Sequence, residues 1–344
     1  MTSLTTVNLD APYLILIGDV SDPTYAKTGL GLVQWCPERV AGQLRFPGCT
    51  VDLGVPDMSV TAAVEAGARS LVIGVAPIGG FIPESWWNSI EEAAQAGLDI
   101  VCGLHLKLTD FPKIVVAAAA SGARLVDVRN PPANIPIATG NKRSGRRVLM
   151  VGTDCAIGKK YTALALNQSM RKAGIDSDFR ATGQTGIILA GEGIPIDAVV
   201  ADFIAGAAEL ISPDNHENHW DVIEGQGSLF HPAYSGVSMG LLHGSQPDAF
   251  VVCHDAVRSR ISGWEHFTLP PVRDAINLHV SVGSRVNPDI RCVGISVNTS
   301  KLAASERKKY LAGLAKETGL PCIDPLIDGC DAIVDYTRQC FPEK

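Results

Sequence analysis

Val148-Leu149-Met150-Val151-Gly152-Thr153-Asp154-Cys155-Ala156-Ile157-Gly158-Lys159-Lys160-Tyr161-Thr162 decides how this chain is read. Val148 to Val151 is an apolar run that reads as a buried strand. A glycine-bounded loop ending in Gly158-Lys159 follows, and Ala163 to Lys172 carries good helix formers. Strand, glycine loop, lysine and helix together lay out a phosphate-binding loop. Glycines let backbone N–H groups turn inward around an anion, the helix N-terminus adds partial positive charge, and Lys159 adds a full one. The expected phosphate-binding set is Gly152, Thr153, Asp154, Cys155, Gly158, Lys159, Lys160 and Thr162. The bland alternative is a glycine-rich turn that binds nothing.

The loop departs from the common pattern in two places. The gap between Gly152 and Gly158 is one residue longer than usual, and Lys160 stands where a Ser or Thr hydroxyl normally holds Mg²⁺. An ammonium cannot ligate a metal, and Thr162 lies further along the helix. The expectation is a loop that binds phosphates without metal-assisted phosphoryl transfer. The longer Gly-Thr-Asp-x-x-x-Gly-Lys form resembles the loop of dethiobiotin synthetase.

The chain has 344 residues, which favours two domains, and 46% of them are hydrophobic, enough for two cores. Charged residues make up only 19%, which excludes a disordered or coiled-coil class. The net charge of −7 argues against nucleic acid held by bulk electrostatics. Nine scattered cysteines form no Cys-x-x-Cys pair, so reduced thiols in a cytoplasmic protein are expected. Met1 to Asp10 shows no signal-peptide pattern, and every apolar stretch is broken well short of the ~18 residues that a membrane span needs. A homo-oligomer is expected on general grounds.

Strands alternate with helices through the first part of the chain, as in a parallel sheet with crossover helices. The expected strands include Tyr13 to Ile17, Val40 to Leu44, Ser70 to Val75, Asp99 to Cys102 and Leu125 to Val128. Gly31 to Trp35 and Val51 to Gly54 read as further short strand-like elements. Ligands of such sheets sit at the carboxyl ends of the strands, which singles out Lys27, Gly79-Gly80, His105 and Arg129. A solvated lysine, a tight turn and a structural histidine are the plain alternatives for the first three. Asn130 to Arg147 has prolines, glycines and the basic cluster Lys142, Arg143, Arg146 and Arg147, and it reads as a boundary. That cluster is either a solvated surface or an anion contact. The expected division is domain one at 1–135, linker at 136–147 and domain two at 148–344.

In the second domain, the strand Ser177 to Arg180 opens into Ala181-Thr182-Gly183-Gln184-Thr185-Gly186, a loop-like segment offering hydroxyls, an amide and backbone donors. Trp220 to Ile223 is an apolar strand ending in Glu224-Gly225-Gln226-Gly227-Ser228-Leu229, the place where a phosphate-loop domain keeps its acidic group. Glu224 is a candidate proton acceptor or metal ligand, with a buried satisfied glutamate as the alternative. His231 follows closely enough to share its cavity. His216 and His219 have no further ligand at metal-site spacing, so no metal is expected. Asn298 and Thr299 end a late strand where a nucleotide base is often met.

Taken together, Ala26-Lys27-Thr28, Val75-Ala76-Pro77-x-Gly79-Gly80, Gly103-Leu104-His105, the Gly152–Lys159 loop, Thr182–Gly186 and Glu224–Leu229 resemble a two-domain family long of unknown function. The resemblance spans nearly the whole chain. It implies an α/β fold with an N-terminal Rossmann-like parallel sheet and a C-terminal P-loop NTPase-like parallel sheet. Some members are D-glutamate N-acetyltransferases that use acetyl-CoA in D-amino-acid catabolism, so acetyl-CoA as co-substrate and D-glutamate as acceptor are the implied ligands. Coenzyme A carries a pyrophosphate that a phosphate loop can hold without hydrolysis.

For that chemistry Glu224 or His231 is the expected base for the substrate ammonium. Lys27, Arg129 and Arg180 are the expected cations for the glutamate carboxylates, with Thr182, Gln184, Thr185 and Gln226 as further substrate contacts. Backbone amides near Gly183–Gly186 or Gly225–Gly227 are candidate oxyanion donors, and Asn298 is the expected contact to the donor's adenine. Two other classes remain: an ATP- and Mg²⁺-dependent kinase or ligase on a small carboxylate, like dethiobiotin synthetase, and a nucleotide-binding regulator without chemistry.

Overall fold

The computed structural model describes residues 4–77, 80 and 82–342; Gly79, singled out above, lies outside them. In chain order the first elements are β1 (Thr5–Thr6), β2 (Tyr13–Gly18), α1 (Lys27–Trp35), β3 (Val40–Arg45), α2 (Val60–Glu65), β4 (Ser70–Ile73), α3 (Glu84–Gln95), β5 (Asp99–Cys102), α4 (Pro112–Ser121) and β6 (Leu125–Asp127). Then come β7 (Arg146–Gly152), α5 (Lys159–Lys172), β8 (Ser177–Arg180), α6 (Gln184–Ala190), β9 (Glu192–Gly193), α7 (Ile204–Ile211), β10 (Trp220–Ile223), α8 (Ser235–Ser245) and β11 (Ala249–Asp255). The chain continues through β12 (Arg260–Ile261), β13 (Trp264–Thr268), α9 (Val272–Gly283), β14 (Arg291–Asn298), α10 (Ala304–Thr318), β15 (Cys322–Ile323) and α11 (Asp331–Cys340).

Contacts gather these elements into two units. One holds Thr5–Pro131 and Gly183–Ala198; the other holds Pro132–Thr182 and the chain from Val199 onward. The first unit is a five-stranded parallel sheet in the order β3-β2-β4-β5-β6. β2, β4 and β5 are buried along their whole length, as expected of strands covered by helices on both faces. Pro83 precedes α3, Pro112 opens α4, and Gly122 closes α4 in the left-handed conformation with φ of 83°. The short strand β9 pairs antiparallel with β1, tying the 183–198 segment into this unit.

Two local expectations change here. Gly31 to Trp35 is helical, part of α1, not a strand. The Leu30-Gly31-Leu32 alternation imitates a strand, but glycine is what lets this helix lie close on the sheet. A Cβ on Gly29 would sit 3.0 Å from the Ile17 side chain and 3.1 Å from that of Ile15. Val51 to Gly54 is neither strand nor helix; Asp52 Oδ1 accepts the Gly54 N–H at 2.7 Å and closes a turn.

The second unit is a six-stranded parallel sheet in the order β15-β14-β11-β7-β10-β8. β7 lies in its middle, with Val148 opposite Val222 on one side and Ala249 on the other. The basic cluster leads into β7: Lys142 is exposed and pairs with Asp248 at 2.8 Å, while the arginines turn inward. Arg147 is fully buried, and its guanidinium donates to the carbonyls of Ser144 (2.9 Å) and Pro213 (3.1 Å). Arg143 donates to Ser212 O at 2.7 Å and Gly244 O at 2.8 Å, and burial pulls its pKa down to about 10. These arginines cross-link loops. No helix among the described residues is long and apolar enough to cross a membrane.

Candidate active site

The phosphate loop leaves the carboxyl end of β7 and enters α5 through Gly158, whose φ of 106° only glycine adopts readily. Lys159 is buried at the first turn, its Nζ donating to Asp154 O at 2.8 Å across the loop. The Thr153 hydroxyl shares a hydrogen bond with His254 Nδ1 (3.0 Å), and His254 Nε2 with the Tyr310 hydroxyl (2.9 Å). Asp154 is wholly buried and serves the loop itself: its carboxylate accepts from Cys155 N (2.6 Å), Ser262 N (2.9 Å) and Arg258 Nη1 (2.8 Å).

The hydroxyl of Thr162 is turned into the core. It donates to Gly158 O at 3.0 Å and hydrogen-bonds Ser296 Oγ at 2.7 Å. It therefore does not replace the missing metal-binding hydroxyl. Lys160 stands at that position and lays its Nζ over the Tyr161 ring, 4.5 Å from the centroid.

Glu224 follows β10 beside this loop and is only 3% exposed. One carboxylate oxygen accepts the Thr182 N–H at 3.0 Å, the Thr182 hydroxyl donates to Glu224 O at 2.7 Å, and Gln226 Nε2 donates to that hydroxyl at 3.2 Å. The glycines around Glu224 are obligatory. A Cβ on Gly225 would lie 1.6 Å from Met150 O and 3.0 Å from Lys159 Cδ, so the acidic turn packs on the lysine stem with nothing to spare. Glu224, Thr182, Gln226 and Lys159 thus form one cluster.

His231 reaches the loop from the other side. A ligand atom from each of His231, Asp154 and Cys155 lies within 4.8 Å of the others. Its Nδ1 accepts the Ala233 N–H at 3.1 Å, and its ring stacks on Tyr234. Burial lowers its pKa, against the raising effect of Asp154 and the Ser262 backbone. Arg180 donates to Asp221 at 2.6 Å, with Asp178 at 3.5 Å, so its charge is spent within the sheet.

The other expected substrate residues gather in the first unit. Gln184 and Thr185 sit not in a loop but in the first turn of α6. Arg129 Nη2 donates to Gln184 Oε1 at 2.8 Å, Arg129 Nη1 donates to His105 Nε2, and Asp197 pairs with Arg129 at 3.2 Å. Thr185 and Thr28 share a buried hydrogen bond of 3.0 Å, and Lys27 is the exposed residue just before it at the start of α1. Gly103 makes this assembly possible, since a Cβ there would come within 2.8 Å of the Gln184 side chain. Burial, reinforced by Arg129, keeps the His105 pKa below its ordinary value.

At the end of β14, Asn298 Nδ2 reaches Asp255 Oδ2 at 3.4 Å while its Oδ1 accepts the Ser300 N–H at 3.1 Å. Thr299 is buried, its hydroxyl donated to Asp324 at 2.5 Å, and so is not placed to read a base. Sequence reasoning missed Arg258, which grips Asp154, and His254, which holds Thr153. The signal for His254 was its position at the end of a central strand; Arg258 had none, because its partner lies 104 residues away.

A phosphate loop with an acidic turn packed on its lysine in one unit, and a second parallel-sheet unit in the same chain, define a two-domain α/β phosphate-loop protein. The chain belongs to the DUF1611 family: residues 136–334 match its C-terminal P-loop domain and residues 44–131 its N-terminal Rossmann-like domain, both described as domains of unknown function. A D-glutamate N-acetyltransferase of Tritonibacter scottomollicae is 46% identical over 95% of this chain and 98% of its own. One from a Pseudoalteromonas species is 46% identical over 95% of this chain and 99% of its own. The crystal structure of a DUF1611 protein from Anabaena variabilis superposes with a TM-score of 0.88 at 36% identity, covering 96% of this chain and 100% of that one.

Proposed function

We propose that this protein transfers the acetyl group of acetyl-CoA to the α-amine of D-glutamate, releasing coenzyme A and N-acetyl-D-glutamate. The observation that carries the reading is 46% identity, over 95% of the chain, to two D-glutamate N-acetyltransferases. The site chemistry is compatible with it. The loop keeps the glycine turn and lysine that cradle a diphosphate but has an ammonium where a metal-binding hydroxyl belongs. A donor that needs gripping and not splitting suits such a loop.

Glu224 takes the proton from the substrate ammonium, and the freed nitrogen attacks the thioester carbonyl. A C–N bond forms, the C–S bond breaks, and the departing thiolate takes up one proton as the new amide nitrogen loses its second. Glu224 is favoured over His231, whose Nδ1 already accepts a backbone N–H. Backbone amides of the Gly225–Gly227 turn, whose first glycine packs on the Lys159 stem, are the oxyanion donors of this reading. Arg129, set by Gln184 and His105, is the cation for a substrate carboxylate, with Lys27 supplying the second charge at the start of α1. Arg180, bound to Asp221, contributes to strand pairing instead. The setting we infer is the cytoplasm, with no disulfide among the described residues, and a homo-oligomer.

The test is purified protein with D-glutamate and acetyl-CoA in the presence of EDTA, followed by thiol release. Stoichiometric thiol and N-acetyl-D-glutamate support the reading. ADP or phosphate release from Mg-ATP with no thiol product would replace it with the kinase or ligase class, and ligand binding without either product with a regulator.

A further inference from the structure

The opposite, amino-terminal end of the second unit's sheet holds a cluster that acetyl transfer does not use. Asp176 immediately precedes β8 and His219 immediately precedes β10; the two strands are parallel neighbours, with Trp220 opposite Ser177. Trp220 N donates to Asp176 O at 3.0 Å, which sets Asp176 and His219 side by side. A tight turn, in which His219 N donates to His216 O at 3.0 Å, brings His216 round to the same point.

Two imidazole nitrogens converge on one carboxylate oxygen. His216 Nε2 lies 2.6 Å and His219 Nδ1 2.9 Å from Asp176 Oδ2, and ligand atoms from all three residues fall within 4.8 Å of one another. On its far side, the His219 ring points Nε2 at Asp221 Oδ1, 3.5 Å away, and at Asp178 Oδ2, 3.8 Å away. His219 is 97% buried, and this Nε2 makes no proper hydrogen bond. A cation placed between His219 Nδ1, His216 Nε2 and Asp176 Oδ2 takes all three as ligands, with Asp221 in the outer-sphere place that metal-bound histidines usually offer a carboxylate.

We infer that Asp176, His216 and His219 form a binding site for a divalent transition metal of the zinc class. Two imidazoles and one carboxylate suit zinc, cobalt or nickel and disfavour magnesium or calcium. Zinc bonds of about 2.1 Å require the ligand atoms to move slightly apart. Asp176 and His216 are 56% and 60% exposed and can do so, leaving the outward position to water. The site clamps the β8–β10 edge, far along the strands from the phosphate loop. The Asp154, Cys155 and His231 trio is the poorer candidate, because Asp154 is already saturated by Arg258 and two backbone N–H groups.

The experiment titrates EDTA-stripped, full-length protein with Zn²⁺ alone against a chromophoric chelator. One equivalent is expected to bind, with His216→Ala and Asp176→Ala each weakening it more than ~100-fold. Both residues are exposed, so the variants should keep their circular dichroism and their thiol-release activity. Co²⁺ should give visible bands without thiolate charge-transfer absorption. Absence of stoichiometric Zn²⁺ binding by the wild type overturns the site and leaves a protonated histidine bridging two acids. Unchanged affinity in His216→Ala, or thiolate absorption with Co²⁺, also overturns it, by assigning the metal to cysteines. None of these outcomes depends on what the enzyme acylates.

Discussion

The phosphate loop and the Arg129 cluster both stand at the carboxyl ends of parallel strands, one in each unit, yet they are assembled differently. The loop is one contiguous stretch, and its charged groups are met by their own neighbourhood: Lys159 by a loop carbonyl, Asp154 by two N–H groups and Arg258. The other cluster draws His105, Arg129, Gln184 and Asp197 from four separate segments, and it retains two buried atoms without hydrogen bonds, Arg129 Nε and Asp197 Oδ1. A cradle for a diphosphate can be finished in advance, since backbone donors do the work. If the Arg129 cluster receives a carboxylate as proposed, those two atoms are its reserve of polarity, and burying them without partners costs stability.

The sharpest way to break this contrast is Glu224→Gln. It should lower kcat about 100-fold or more, as loss of a general base does, with the acetyl-CoA KM changed less than about twofold. Near-normal turnover would move the chemistry away from the phosphate-loop unit. Next, Arg129→Ala should raise the D-glutamate KM about 30-fold, equivalent to roughly 2 kcal/mol for a lost charged hydrogen bond, and leave the donor KM alone. Lys159→Ala should do the reverse, raising the donor KM about tenfold without touching the acceptor. If either variant moved both constants together, the two clusters could not be assigned to separate ligands.

The smallest effect is a pH dependence. Burial first, and Arg129 second, hold the His105 pKa below its ordinary value, so His105 is neutral near pH 7 and accepts from Arg129. Acid has to fall through the region below about pH 6.5 before the ring charges and repels the guanidinium. The D-glutamate KM should then rise a few-fold toward low pH while the donor KM stays flat. His105→Gln, which cannot titrate, should level the profile; an unaltered profile would detach His105 from the acceptor site.

The same contrast governs what could be read from the sequence. The parallel sheets were legible because their central strands are local apolar runs spaced by helices, and β5 and β8 have the limits their sequences suggested. The phosphate loop was legible because its glycines, lysine and helix are consecutive. Gln184 was singled out on composition, but its partner Arg129 lies 55 residues away and no spacing rule joins them. The α1 helix was misread because its glycines, chosen for close packing on the sheet, diluted the helical period. Arg143 and Arg147 were misread because a run of positive charge ordinarily means solvent, and several of the carbonyls that accept from them come from loops far along the chain.

Those arginines carry a consequence for biosynthesis. Arg147 opens the strand that bears the phosphate loop, and one of the carbonyls that receives its guanidinium belongs to Pro213, 66 residues later. A nascent chain that has just emitted the loop already holds the carbonyls of Arg143 and Ser144 for that guanidinium, but those of Ser212 and Pro213 arrive only with a turn made well after it.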